Sequence, residues 1–147
     1  MNLKDTLSIK GQVQIRLIEN GKLIRTIDVQ NLVVTAGKLS MAKLLCGSSV
    51  TIVDGIGVGT SSAVPDLSDT ALTGLVLKAI DGFTSPSSNF VEFEWSFDYT
   101  EANGITIREL GLYTDESGTP VLFSRIAIDP IAKTSALRLE GTWKILF

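Results

Sequence analysis

Glu92, Glu94 and Asp98 lie on one side of an alternating segment, in a chain that holds no His and a single Cys. Carboxylates so spaced could act as acid and base on a glycoside, or hold Ca²⁺. An acid/base pair needs two unlike environments, however, and these three share the face opposite Val91, Phe93, Trp95, Phe97 and Tyr99. The ordinary reading is a solvated strand face that discourages edge association. Without His, Ser/His/Asp and Cys/His nucleophiles and His-built zinc sites are excluded. Cys46 has no disulfide partner in the chain. It reads as a small core residue on a helix, since Lys43 is its one basic neighbour in sequence.

Gly55-Ile56-Gly57-Val58-Gly59 suggests a dinucleotide loop, but the last Gly of G-x-G-x-x-G is missing and no apolar-periodic helix follows. Glycines in a strand mark bulges or close backbone approach instead. Trp95, Trp143 and the aromatics beside Trp95 would suit a sugar platform if exposed; their clean alternation assigns them to a core. Asp115-Glu116-Ser117-Gly118 lacks the spaced oxygens of an EF-hand and reads as a hairpin turn. The residues point to no enzyme, no cofactor and no metal.

Short strands must position these groups. Residues 7–17 alternate, with Leu7, Ile9, Val13, Ile15 and Leu17 on one face and Lys10, Gln12, Gln14 and Arg16 on the other. Asn20-Gly21 then turns the chain into residues 22–29, a hairpin. Thr35 is placed to cap a helix over residues 36–46, ended by Gly47, with Leu39, Ala42 and Cys46 on its inner face. Strands are expected at 50–58, 75–83, 91–99, 105–113, 121–128 and 137–147. Asp129-Pro130 ends the seventh strand, because Pro cannot donate to a ladder. Leu137, Leu139, Trp143, Ile145 and Phe147 share the inner face of the last. About eight strands and one short helix predict an all-β antiparallel sandwich of jelly-roll type.

The chain's 147 residues, 44% apolar and 20% charged, suit one domain, with residues 1–5 as an extended N-terminal arm. A net charge of −3 without clustered Lys and Arg argues against nucleic acid as partner. No signal peptide or membrane-length apolar run is visible, which predicts a soluble protein made in the cytoplasm. The mean hydropathy of +0.29 suggests that part of the surface is covered by other subunits.

Four stretches, taken in order, resemble a widespread group of small structural proteins of tailed bacteriophages. They are Asn31-Leu32-Val33-Val34-Thr35-Ala36-Gly37-Lys38; Ile56-Gly57-Val58-Gly59-Thr60 with Asp69-Thr70-Ala71-Leu72; Ile107-Arg108-Glu109-Leu110-Gly111-Leu112-Tyr113; and Pro130-Ile131-Ala132-Lys133-Thr134-Ser135 leading to Thr142-Trp143. The group includes capsid decoration (cement) proteins and tail-collar, fibre or baseplate parts. The resemblance implies a virion protein without catalytic residues: first a cement protein on the capsid exterior, alternatively a tail-associated collar, fibre or baseplate component, structural or receptor-binding. As a cement protein it would be a homotrimer bound to the major capsid protein, with no nucleic-acid or membrane partner. It further implies that Gly57, Gly59 and Gly111 serve tight backbone geometry and that Leu110, Leu112 and Trp143 are core. The expected assembly contacts are Met1, Asn2, Leu3, Lys4 and Asp5, with Arg108 and Glu109 pairing across a strand or subunit boundary.

Overall fold

The computed structural model describes residues 9–48, 52–116 and 118–147. The elements in chain order are β1 Lys10–Glu19, β2 Lys22–Val33, α1 Thr35–Cys46, β3 Val53–Gly59, β4 Val76–Ala79, β5 Gly82–Thr84, β6 Phe90–Phe97, β7 Thr106–Glu116, β8 Thr119–Ala132 and β9 Leu137–Leu146. All ladders among the described residues are antiparallel, as an all-β chain of hairpins requires.

The strands form one sheet in the order β4-β3-β7-β8-β2-β1-β9-β6-β5, not the two separate sheets of a jelly roll. The reason is β2. It pairs with β1 along its length and with β8 through Leu32 and Val33, joining the two halves.

The short strands β4 and β5 occupy opposite edges of this sheet, although only Ile80 and Asp81 separate them in sequence. Ala79 and Gly82 can be at most about 11 Å apart, whereas the edges of a flat nine-stranded sheet lie about 38 Å apart. The sheet therefore curls until its edges meet. Ile80 N–H donates to the Asp54 carbonyl (2.9 Å) and Asp81 N–H to the Glu94 carbonyl (2.8 Å), tying the bend to both halves. The strand expected over 75–83 is thus one segment bent at this corner.

Curling gives the halves a common interior. Val13, Ile15 and Leu17 of β1, Phe93, Trp95 and Phe97 of β6, and Leu139, Trp143 and Ile145 of β9 meet Ile56, Val58, Leu110, Leu112 and Ile126 from the far half. Trp95 and Trp143 are 1% and 0% exposed, so they are core and form no sugar platform. Each such buried side chain stabilises the fold by roughly 1.5–3 kcal/mol.

Asn20 and Gly21 adopt φ of 48° and 80°, as a type I′ turn requires. The β8 strand continues through Pro130 and does not stop at Asp129. Its pairing with β7 shifts register between Ile107 and Glu109, and Pro130 falls in this bulge, where no ladder N–H is required. Phe147 lies beyond the last ladder pair and is 48% exposed, not core as expected.

Helix α1 departs from expectation in two respects. Val34 occupies the N-cap without a side-chain hydrogen bond, and Thr35 lies inside the helix. The buried helix residues are Gly37 and Ser40, not Leu39, Ala42 and Cys46. Gly37 lies directly on the Phe123 carbonyl of β8, an approach that leaves no room for a Cβ. Close packing selects the smallest residues, so the larger ones turn outward and Cys46 is exposed. Gly47 closes the helix in the left-handed conformation (φ 69°), as expected.

Candidate interaction surface

Two regions of the curled sheet, one on its outer side and one at the open end of its core, are built in opposite ways. The first covers β3, β7 and β8 with the crossing at residues 60–75. A structureless segment this long is uncommon in a compact domain and must be held in place. The β7 bulge supplies the holder. Ile107 points into the core, and the register shift turns Glu109 to the outer face, where it is 1% exposed under the crossing. Its Oε1 accepts the Ser61 N–H (3.1 Å) and the Thr73 N–H (2.8 Å). Its Oε2 accepts from Arg125 Nε of β8 at 2.7 Å.

Arg125 uses its remaining donors on the same segment. Nη1 reaches Asp69 Oδ2 at 3.0 Å, and Nη2 reaches the Ala63 carbonyl at 2.9 Å. The Tyr113 hydroxyl accepts the Leu72 N–H at 2.9 Å, and burial raises that phenol above its usual pKa. Gly57, Gly59 and Gly111 form the floor of this node. A Cβ on Gly57 would stand 3.0 Å from the Tyr113 ring, and one on Gly59 would press on Glu109 and the Thr73 carbonyl. Close approach, not positive φ, explains these glycines.

Val34 packs beside Leu72 and Tyr113, so three of the four stretches quoted from the sequence converge here, and Arg125, which sequence reasoning missed, joins them. Glu109 pairs across a strand boundary within the chain, and both carboxylate oxygens are spent there. Arg108, half-buried in the bulge, has no ion pair among the described residues. Met1, Asn2, Leu3, Lys4 and Asp5 lie outside the described residues.

A second buried cation, Lys133, is 1% exposed and donates to the Asp98 carbonyl (2.9 Å), Asn103 Oδ1 (2.9 Å) and the Thr134 carbonyl (3.2 Å). Burial lowers its pKa, but this ring of acceptors makes it a strut for the turn at 98–104.

The second region lies where α1 meets the β5–β6 connection and the C-terminus. Met41 and Leu44 of α1 face Ile52, Phe83, Pro86, Val91 and Phe147 across a groove of about 280 Å³. Phe83 is 59% exposed, Ile52 57% and Leu44 40%. No ionisable side chain lines it among the described residues, so the groove has the means for apolar contact and none for proton transfer. Sequence reasoning missed Phe83 and Leu44. The available signal was an aromatic at the end of an expected strand, three residues before Pro86.

The carboxylates considered first do not assemble. Glu92 meets Lys144 at 3.7 Å, and Asp98 meets Arg138 at 3.2 Å. Hydrogen bonding from the Tyr99 N–H, aided by Arg138, holds the Asp98 carboxyl below its ordinary pKa. No cluster of three metal-ligating side chains occurs among the described residues, and no helix there is long and apolar enough to cross a membrane. Comparison with known proteins found no matching family model, no matching curated protein and no matching solved structure.

Proposed function

We propose that this chain is a non-enzymatic structural protein of a tailed-bacteriophage virion. It would be a cement protein that binds the outer surface of the major capsid protein shell as a homotrimer. The observation that carries the reading is the groove with Leu44, Ile52, Phe83 and Phe147 at its rim, an apolar surface with no ionisable side chain among the described residues that line it. Exposed apolar patches of this kind mark association sites. The pinned crossing and the curled sheet supply a stiff body on which such a surface can be held. The order of the four motif stretches supports the virion setting.

The test compares virions with and without the protein. Loss of heat resistance in heads lacking it, with hundreds of copies per wild-type particle, is the expected result. Loss of adsorption from heat-stable heads, with a few dozen copies or fewer, would replace this reading with a tail-associated component.

A further inference from the structure

We propose that the slot between β2 and β8 accepts an extended strand, and that residues 1–8 of a second copy of this chain fill it. The inference extends the self-association part of the reading above and does not depend on the capsid.

The two strands pair directly only at Leu32 and Val33, with one further bond from Val34 N–H to the Phe123 carbonyl. Beyond that point they diverge around a cleft of about 380 Å³ lined by Arg25, Ile27, Val29, Ala127, Ile128 and Asp129. In an antiparallel ladder, alternate residues turn their N–H and C=O to the same neighbour. Counting back from Val34 and Leu32, the backbone groups of Gln30, Asp28 and Thr26 face the slot, where β2 has no ladder partner among the described residues. On the opposite wall Ala127 does the same. The floor is apolar, since Ile27, Val29 and Ile128 are partly buried against the main core. Only a long Arg25–Asp129 ion pair (3.9 Å) spans the mouth, and both side chains are largely exposed.

A row of backbone donors and acceptors on β2, faced by those of Ala127 on β8 above an apolar floor, complements one kind of ligand, a polypeptide strand with alternate apolar side chains. It would run antiparallel to one wall and parallel to the other. Residues 1–8 have that pattern. Met1, Leu3 and Leu7 continue the apolar series into Ile9, while Asn2, Lys4, Thr6 and Ser8 alternate with them. Asp5 breaks the apolar side, and Arg25 at the rim, held by Asp129 only at 3.9 Å, would turn to it as counter-charge. Eight extended residues reach about 26–29 Å, enough to leave one subunit and enter the next.

The experiment uses full-length chains carrying Cys46→Ser. Leu3→Cys is placed on one chain and Val29→Cys on another, and the mixed proteins are oxidised. A disulfide-linked heterodimer is expected, reduced at least tenfold when Thr26→Pro blocks a slot-facing N–H on the Val29→Cys chain. A far-ultraviolet melt checks that this chain is folded. No heterodimer in the mixture, or a cross-link formed only when both cysteines share one chain, overturns the proposal. A cross-link from a protein that fails to protect heads from heat would sink the cement reading and leave the strand exchange standing.

Discussion

The crossing over β3, β7 and β8 and the groove beside α1, at the open end of the core, are regions of one sheet finished by opposite means. Over the crossing, Arg125, Glu109 and Asp69 are drawn out of water, and their hydrogen bonds are made within the chain. At the groove, large apolar side chains remain in water with nothing of the described chain upon them. A buried ion pair adds little net stability over an apolar pair but penalises every geometry that breaks it, so it selects one arrangement. Exposed apolar side chains impose no geometry and gain when a partner covers them. The first region is therefore a fastening, and the second is an exposed apolar groove of the kind the proposed function calls for.

The largest effect is expected at the fastening. Arg125→Ala leaves Glu109 buried without its cation and should cost about 3–5 kcal/mol by urea unfolding. The pair replacement Arg125→Met with Glu109→Leu should recover much of that loss while the crossing becomes more sensitive to protease. If the double variant is as unstable as the single, the charges do more than select geometry.

Next comes Gly59→Ala. Its Cβ would meet the Thr73 carbonyl at 2.8 Å, a backbone atom with little room to move, so a loss of about 1–3 kcal/mol is expected. A thermal midpoint unchanged from wild type would mean that the crossing is less tightly seated than its hydrogen bonds imply.

The groove should respond the other way. Phe83→Ser with Phe147→Ser should alter unfolding free energy by no more than about 1 kcal/mol and yet, on the proposed cement function, abolish binding to heads that lack the protein. Equal loss of stability and binding would place these rings in the core and erase the contrast.

The smallest effect is at Asp98. Its folded-state pKa lies below the unfolded value near 3.8, so its contribution is present above about pH 4 and is lost as pH falls through the folded value. Asp98→Asn should flatten the acid limb of the stability profile and leave the neutral region nearly unchanged, as read by thermal midpoints from pH 2 to 7.

Much of the frame was legible because period-two alternation reports burial directly. Val13, Ile15, Trp95, Leu139 and Trp143 were all placed inward from spacing alone. Glu109 was not, because a one-residue register shift moves a side chain to the other face without any change of composition. Residues 75–83 read as one strand because the bend at Ile80–Asp81 depends on where the two sheet edges meet. In α1, apolar spacing suggested Leu39 and Cys46, while closeness to the Phe123 carbonyl demanded Gly37. Phe147 continues its strand's apolar alternation, but the ladder ends one residue earlier.

The sequence by itself determined that this chain is antiparallel β, the inward side of most residues in β1, β6 and β9 and where its first hairpin turns, since these follow from neighbours a few positions apart. Only the tertiary structure decided that the sheet curls as one, that Arg125 finds Glu109 and Asp69, and that no described residue covers the groove at α1 or fills the slot between β2 and β8. Those outcomes depend on contacts between residues tens of positions apart, and local alternation carries no term for them.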